Sequence, residues 1–404
     1  MSVEPEMARS QSDIDSQETI EPTAPRYSLS ELTVYFAKLG TIGFGGPVAL
    51  VGYMHRDLVE DRGWISEAYY KEGLTLAQIA PGPLAAQLGI YLGFVHYRIL
   101  GATLAGLAFV LPSFIMVLIL GWAYLRFQGL PWMQAVFYGV GASVIGIIAV
   151  SAYKLTRKTV GKDWLLWLIY AVAAAFTVVT ETESVWLFLA AGALVWLVRM
   201  TPKRGNRPLL SLSPVAILCA ALSPGADWGT LWKIAAFFTK AGAFVFGSGL
   251  AIVPFLYGGV VNEYQWLDDR QFMDAVAVAM ITPGPVVITV GFIGYLVAGL
   301  PGACVAAIAT FLPCYLLTII PAPYFKKHGK RPGIIAFVDG VTVAAIGTIT
   351  GAVIVLGRRS VIDVPTALFA VTTLTLLWRF RIPEPLVVVA AGVAGLLSYP
   401  VMQG

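Results

Sequence analysis

Apolar residues run almost unbroken along this chain from residue 28 onward, and polar residues divide them into two series of six elements. The first series covers roughly 28–56, 73–97, 99–124, 131–153, 163–180 and 184–200. The second covers roughly 228–258, 273–299, 301–323, 333–356, 361–378 and 384–401. Many of these runs are long enough to cross a bilayer core of about 30 Å. A membrane β-barrel would show short alternating segments instead. The pattern therefore predicts an all-α polytopic membrane protein.

The second series repeats the first. Trp64 falls on Trp266 and Pro81-Gly82-Pro83 on Pro283-Gly284-Pro285, a shift of 202. Phe36, Lys38 and Gly40 fall on Phe238, Lys240 and Gly242 at the same shift. Beyond the Pro-Gly-Pro the shift is 201, which pairs Pro112 with Pro313, Gly139 with Gly340 and Gly146 with Gly347. The expected organisation follows. Residues 1–27 form a polar, acidic, disordered cytoplasmic tail. Residues 28–200 are the first repeat and 228–404 the second. Residues 201–227 are a basic linker, with room for an extra crossing at 208–224.

Loop charge sets the expected topology. In the first half, basic loops follow element four (Lys154, Arg157, Lys158, Lys162) and element six (Arg199, Lys203, Arg204, Arg207). In the second half they follow element three (Lys326, Lys327, His328, Lys330, Arg331) and element five (Arg379, Arg381). Positive charge marks the cytoplasmic side, so opposite loops of the two halves face the cytoplasm and the repeats are inverted. Arg358 and Arg359, after element four, count against this and are fewer. Re-entrant hairpins are the rival account of the broken elements.

Composition narrows the function. Of 404 residues, 58% are hydrophobic and 12% charged, against about 25% charged in a soluble domain. The net charge of +4 sits in short loops, where it acts as a topology signal and not as a nucleic-acid patch. Cys219, Cys304 and Cys314 lie in apolar runs without metal-ligand spacing and read as packing residues. No cofactor, metal site or catalytic motif is expected, and no nucleotide-binding loop supports an ATP-driven pump.

The candidate chemistry lies where the apolar elements break. Pro-Gly-Pro cannot continue a helix. A half-helix starting there points unpaired N–H groups and a positive dipole end at its surroundings, which suits an anion. The breaks at Phe44-Gly45-Gly46-Pro47 and Phe246-Gly247-Ser248-Gly249 let a ligand or a neighbouring helix approach the backbone. Lys38 and Lys240 each lie about six residues before such a break, inside an apolar run. A charge at that depth is costly and marks function; snorkelling to the interface is the bland alternative. Glu72 and Asp274 match across the repeats and are candidates for proton or ion coupling. Trp64 and Trp266 anchor the charged links at headgroup level. His55 and His96 have no repeat partner and read as structural.

With these features, the chain resembles the chromate ion transporter family in its long, two-repeat form. The residues that carry the resemblance are FGGP at 44–47, the Trp64 link, APGP at 80–83 and their second copies. The resemblance implies a multi-pass protein of a prokaryotic inner membrane that exports chromate and confers chromate resistance. The paired breaks and charges are expected to form one shared substrate site from Phe44, Gly45, Gly46, Pro81, Gly82, Pro83, Phe246, Gly247, Ser248, Pro283, Gly284 and Pro285, with Lys38 and Lys240. Sulfate, a tetrahedral dianion of similar size, is a competitor. Lipid surrounds such a protein, and a homo-oligomer is compatible with it. The competing functions are a carrier of sulfate or another small anion, and a membrane-embedded enzyme acting on a lipid phosphate. The enzyme would need a His, Asp or Ser constellation that the chain does not show.

Overall fold

The computed structural model describes residues 27–44, 46–127, 131–181, 184–200, 229–244, 252–328, 331–361, 363–380, 382 and 384–402. The described residues form helices joined by short turns. In the first half these are α1 (Leu29–Ile42), α2 (Gly46–His55), a π-helical turn (Arg56–Asp61), α3 (Glu67–Ile79), α4 (Leu84–Phe127), α5 (Pro131–Thr159), α6 (Trp164–Thr180) and α7 (Val185–Met200). In the second half they are α8 (Thr230–Phe244), α9 (Ile252–Tyr257), a π-helical turn (Gly258–Glu263), α10 (Asp269–Ile281), α11 (Thr289–Ile319, after a 3-10 turn at Val286–Ile288), α12 (Ala322–His328), α13 (Pro332–Ser360), α14 (Val364–Thr375) and α15 (Glu384–Met402).

Helix starts are written locally and recur in both halves. Ser66 caps α3 and Asp268 caps α10, each accepting from a backbone N–H three residues on. Asp163 and Asp363 cap α6 and α14. Ser28 and Glu31 close a reciprocal capping box on α1.

The short helices at the start of each repeat do not cross the membrane. With 14 residues in α1 and 13 in α3, each spans only about 20 Å. They form two hairpins that enter and leave at one end. Along α3 and α4, the Tyr69 ring meets His96, Gly73 packs on Tyr91, and the Gln87 amide donates to the Pro81 carbonyl. Pro-Gly-Pro is the tip of that hairpin. Along α1 and α2, Tyr35 bonds Asp57 near the open end, and Gly43 packs on Leu50 near the tip. Tyr27 gathers the open ends, stacking on Trp64 at 4.9 Å, bonding His96 at 2.8 Å and accepting from the Tyr97 hydroxyl. The rival account of the breaks, re-entrant hairpins, is the one the fold adopts.

At Arg98 (φ 53°, ψ −139°) α4 reverses, and residues 99–127 run back through the membrane. Gly93 and Gly101 let the two arms touch backbone to backbone, and Gly294 and Gly302 do the same in α11. The long arms of the two repeats then pack together. The Thr103 hydroxyl meets that of Tyr315 at 2.6 Å. Gly121 packs on Tyr295, which lies beside the α11 turn at 298–299. Advancing from 103 to 121 in one arm thus means retreating from 315 toward 300 in the other. Equivalent helices are antiparallel, and the pseudo-two-fold lies across them. In a membrane that is an inverted repeat.

The outer helices are exchanged between repeats. Gly139 of α5 packs on Ala391 of α15, and the counterpart Gly340 of α13 packs on Ala191 of α7. Gly146 meets Ala370 of α14, and Gly347 meets Tyr170 of α6. Each repeat therefore completes the other's core.

The ends can be followed by contacts. After α11, Ala322 and Phe325 of α12 join the first repeat's core at the Tyr27 end. Asp339 of α13 then bonds Arg199, which also holds Asp163. At the opposite end, the Asn262 amide of the second link donates to the Glu181 carbonyl at 2.9 Å. The first repeat thus closes at the Tyr27 end and the second opens at the Glu181 end. The sequence candidate for a crossing between them, 208–224, lies outside the described residues.

Candidate functional site

Both Pro-Gly-Pro tips are built alike. α3 stops at Ile79 with Ala80 extended, and α10 stops at Ile281 with Thr282 extended. Gly82 (φ +144°) and Gly284 (φ +94°) make the turn. These backbone angles exclude a side chain cheaply borne, so the glycines are required. A new helix then leaves each tip, from Leu84 and from Val286.

The tips of opposite repeats meet. The Gly284 N–H donates to the Gly43 carbonyl at 3.0 Å. Around this bond, Pro47, Leu50, Pro83, Leu84, Ala85, Gly284, Pro285 and Val286 line a cavity of about 10 Å³, room for one water. A tetrahedral oxyanion does not fit the cavity that these described residues line. Each tip also leans on the other repeat's long arm. Gly82 abuts Cys314 and Gly284 abuts Ser113, residues at equivalent positions. Ser113 Oγ donates to the Gly40 carbonyl at 3.3 Å.

Of the expected site residues, the fold brings Pro83, Gly284 and Pro285 onto the cavity and sets Pro81 and Gly82 behind it, Pro81 through Gln87. Pro283 is buried in the second tip. Phe44 is 41% exposed at the first break, and Gly46 opens α2. Gly45, Phe246, Gly247 and Ser248 lie outside the described residues. Lys38 is exposed and Lys240 half-exposed, and neither lines the cavity. Among the described residues neither makes a salt bridge. Lys38 lies about 15 Å along α1 from Ser28.

The two matched acids differ. Glu72 is half-buried beside the Tyr91 hydroxyl of its own hairpin. Asp274 is buried and accepts from the Tyr124 hydroxyl of the other repeat at 2.8 Å.

Gln87, Ser113, Cys314 and Tyr124 are contributors that sequence reasoning passed over. Gln87 is fully buried with Oε1 unpartnered; a lone amide in an apolar run was its signal. The matched small residues Ser113 and Cys314 could be read from the repeat. Nothing local points from Tyr124 to Asp274, 150 positions away. The expected structural roles of the histidines hold: His96 bonds Tyr27, and His55 lies between Glu60 and Glu67. A larger cavity of about 400 Å³ between the long arms is lined by apolar groups and the Thr103–Tyr315 pair, and offers an anion nothing.

Re-entrant hairpins inserted from opposite sides, with the second Pro-Gly-Pro tip bonded to the first repeat's Gly43 break inside an inverted-repeat frame, are an arrangement that membrane transporters use. The comparison with known proteins narrows the class. The chromate transporter family profile matches residues 30–196 and 232–396, one match per repeat, and the chain belongs to that family. It is 68% identical over 385 residues to a chromate transport protein of Cupriavidus metallidurans, covering 94% of this chain and 96% of that one. It is 66% identical to a probable chromate transport protein of Synechococcus elongatus, over 93% of this chain and 97% of the relative. A chromate transport protein of Pseudomonas aeruginosa is 30% identical over 95% of each. No solved structure matches significantly. Family members are transporters, so the chain is a transporter and not a lipid-phosphate enzyme.

Proposed function

We propose that this protein exports chromate across the inner membrane and so confers chromate resistance. The observation that carries the site is the Gly284–Gly43 bond, which joins tips of opposite repeats and closes a cavity between helix N-termini. Opening that bond exposes N–H groups and positive dipole ends to an incoming oxyanion. Lys38 and Lys240 line the water-filled approaches and draw the anion in. The inverted frame lets one pair of hairpins withdraw while the other stays, which is alternating access.

Orientation follows from charge. Arg56, Arg62, Lys71, Arg98, Lys154, Arg157, Lys162, Arg199, Arg331 and Arg379 belong to the Tyr27 end, against Arg126, Lys233, Arg270 and Arg358 at the other. The Tyr27 end, and the N-terminus with it, therefore faces the cytoplasm. A dianion leaving a negative interior gains about 2.3 kcal/mol per charge per 100 mV, so export needs no ATP.

The test is tolerance and flux together. Expression in a chromate-sensitive bacterium raises tolerance, and everted vesicles take up chromate. Lys38→Ala and Lys240→Ala abolish tolerance at unchanged membrane expression. Normal tolerance in both variants removes the lysines from the route. Uptake of sulfate in preference to chromate makes the protein a sulfate carrier.

A further inference from the structure

We infer that Asp274 is the carboxylate that carries a coupling proton, taken up from the Glu181 end and exchanged for the outgoing oxyanion. This rests on the transport function proposed above and names its energy coupling. Two acids sit at matched positions, one helical turn or so inside their half-helices, and only one is sealed. Asp274 is 4% exposed, whereas Glu72 is half-buried and Lys71 beside it on the chain is exposed. An ionisable group turned into the protein at membrane depth marks a proton or ion route.

The surroundings of Asp274 fit proton traffic. Its partner is a hydroxyl, Tyr124, held between the rings of Phe137 and Phe292, each 5.6 Å away. On its own helix the charges are Arg270, one turn toward the Glu181 end, Asp269, which accepts from the Tyr257 hydroxyl, and the capping Asp268, all exposed. Of the elements packed against it, α4 carries Arg126 and the second π-helical turn carries Glu263, both exposed at the Glu181 end, while α5 and α15 carry their charged residues at the far end, as Lys154, Arg157 and Glu384. Arg270 and Asp268 thus form the polar mouth, and Asp274 lies about 8 Å inside it.

Position links the proton to the gate. Asp274 lies near the middle of one short helix, α10, and the second tip follows that helix's C-terminal end. The Tyr124–Asp274 bond ties that helix to the first repeat's long arm, and the Gly284–Gly43 bond ties its tip to the first repeat's break. Binding a proton on Asp274 changes the first tie, and the helix passes the change to the second. The proton enters from the Glu181 end and leaves to the Tyr27 end as the hairpin returns.

The experiment uses the full chain in liposomes loaded with pyranine, a pH-reporting dye, with chromate or sulfate added under imposed pH gradients at clamped potential. Wild type moves protons when its anion is added. Asp274→Asn loses proton movement and gradient-driven flux at least tenfold but keeps anion exchange at equal pH. Asp274→Glu and Glu72→Gln keep proton movement, and Tyr124→Phe shifts the pH dependence of flux. Proton movement with sulfate alone sinks the chromate reading and leaves the assignment standing. No proton movement with either anion, or full coupling in Asp274→Asn, overturns the assignment. Should Asp274→Asn fail to elute as a single species, Tyr124→Phe decides: an unchanged pH dependence overturns the assignment.

Discussion

The two Pro-Gly-Pro hairpins share a sequence plan and differ in what they lean on. The first tip rests on an amide and a thiol, Gln87 and Cys314. The second rests on the Ser113 hydroxyl and on backbone at Gly40 and Gly43. The first hairpin shares its acid, Glu72, with a tyrosine of its own arm, while the second shares Asp274 with a tyrosine of the other repeat. Duplication supplied two equal hairpins, and divergence made the second one the tied, sealed partner. The lesson is that pseudo-symmetry of the backbone does not carry symmetry of role.

The sharpest way to break this comparison is at the tip glycines. A Cβ at Gly284 would run into Ser113 Oγ on a backbone of φ +94°. The left-handed backbone alone adds about 1–2 kcal/mol. Gly284→Ala is expected to cut the initial transport rate about tenfold or more, and adding Ser113→Ala restores part of it. Gly82→Ala meets the movable end of Gln87 and costs less. Equal losses at both tips, in vesicle flux, would mean that the tips are interchangeable.

The next effect separates the two ends of the molecule. At the Tyr27 end, Arg199 clasps Asp163 and Asp339 at 2.8 and 2.5 Å. At the opposite end the matched Asp363 accepts instead from the Tyr138 hydroxyl at 2.5 Å. Arg199 holds the Asp163 carboxyl below its ordinary range through hydrogen bonding. All three groups are about a third exposed, so Arg199→Ala is expected to cost about 0.5–1 kcal/mol. The stabilisation from Asp163 is present above the ordinary carboxylate pKa and is lost as pH falls through its lowered folded value. Thermal unfolding of wild type and Arg199→Ala should therefore differ at pH 7 and converge in acid. A difference that persists in acid would assign the effect to packing.

The smallest effect sharpens the comparison at the arm turns. Arg98 (φ 53°) holds the conformation that Gly299 (φ 62°) holds in the second repeat. Arg98→Gly is expected to stabilise by up to about 1 kcal/mol, and Gly299→Ala to destabilise by about as much. Unfolding midpoints in detergent would show it; no change in either places the turns outside the cooperative unit.

Much of this architecture was legible before folding. Six elements per half, the breaks at 43–47 and 81–83, and the duplicated plan match the helices and their ends closely. These are local properties: run length, cap residues and Pro-Gly punctuation act within a few positions. Loop charge, summed over a few loops, pointed to the inversion that the antiparallel arms display. The site was legible only in part. The Pro-Gly-Pro tips were marked, and Gln87, Ser113 and Cys314 left only the faint signals of a lone amide and a repeat match, while nothing local points from Tyr124 to Asp274, since these roles depend on what lies opposite.

Sequence alone therefore determined that this chain is a duplicated, helical membrane protein with paired breaks, because hydrophobic length and helix-breaking residues act locally. Only the tertiary structure decided that the broken elements turn back as hairpins, that outer helices are exchanged between repeats, and that Gly284 touches Gly43. The hairpins close through contacts within about 30 positions, whereas the exchange of outer helices and the Gly284–Gly43 bond are set by close packing between segments 100 residues or more apart. Contacts of that range are selected by the shape of the assembled bundle and by no nearby residue.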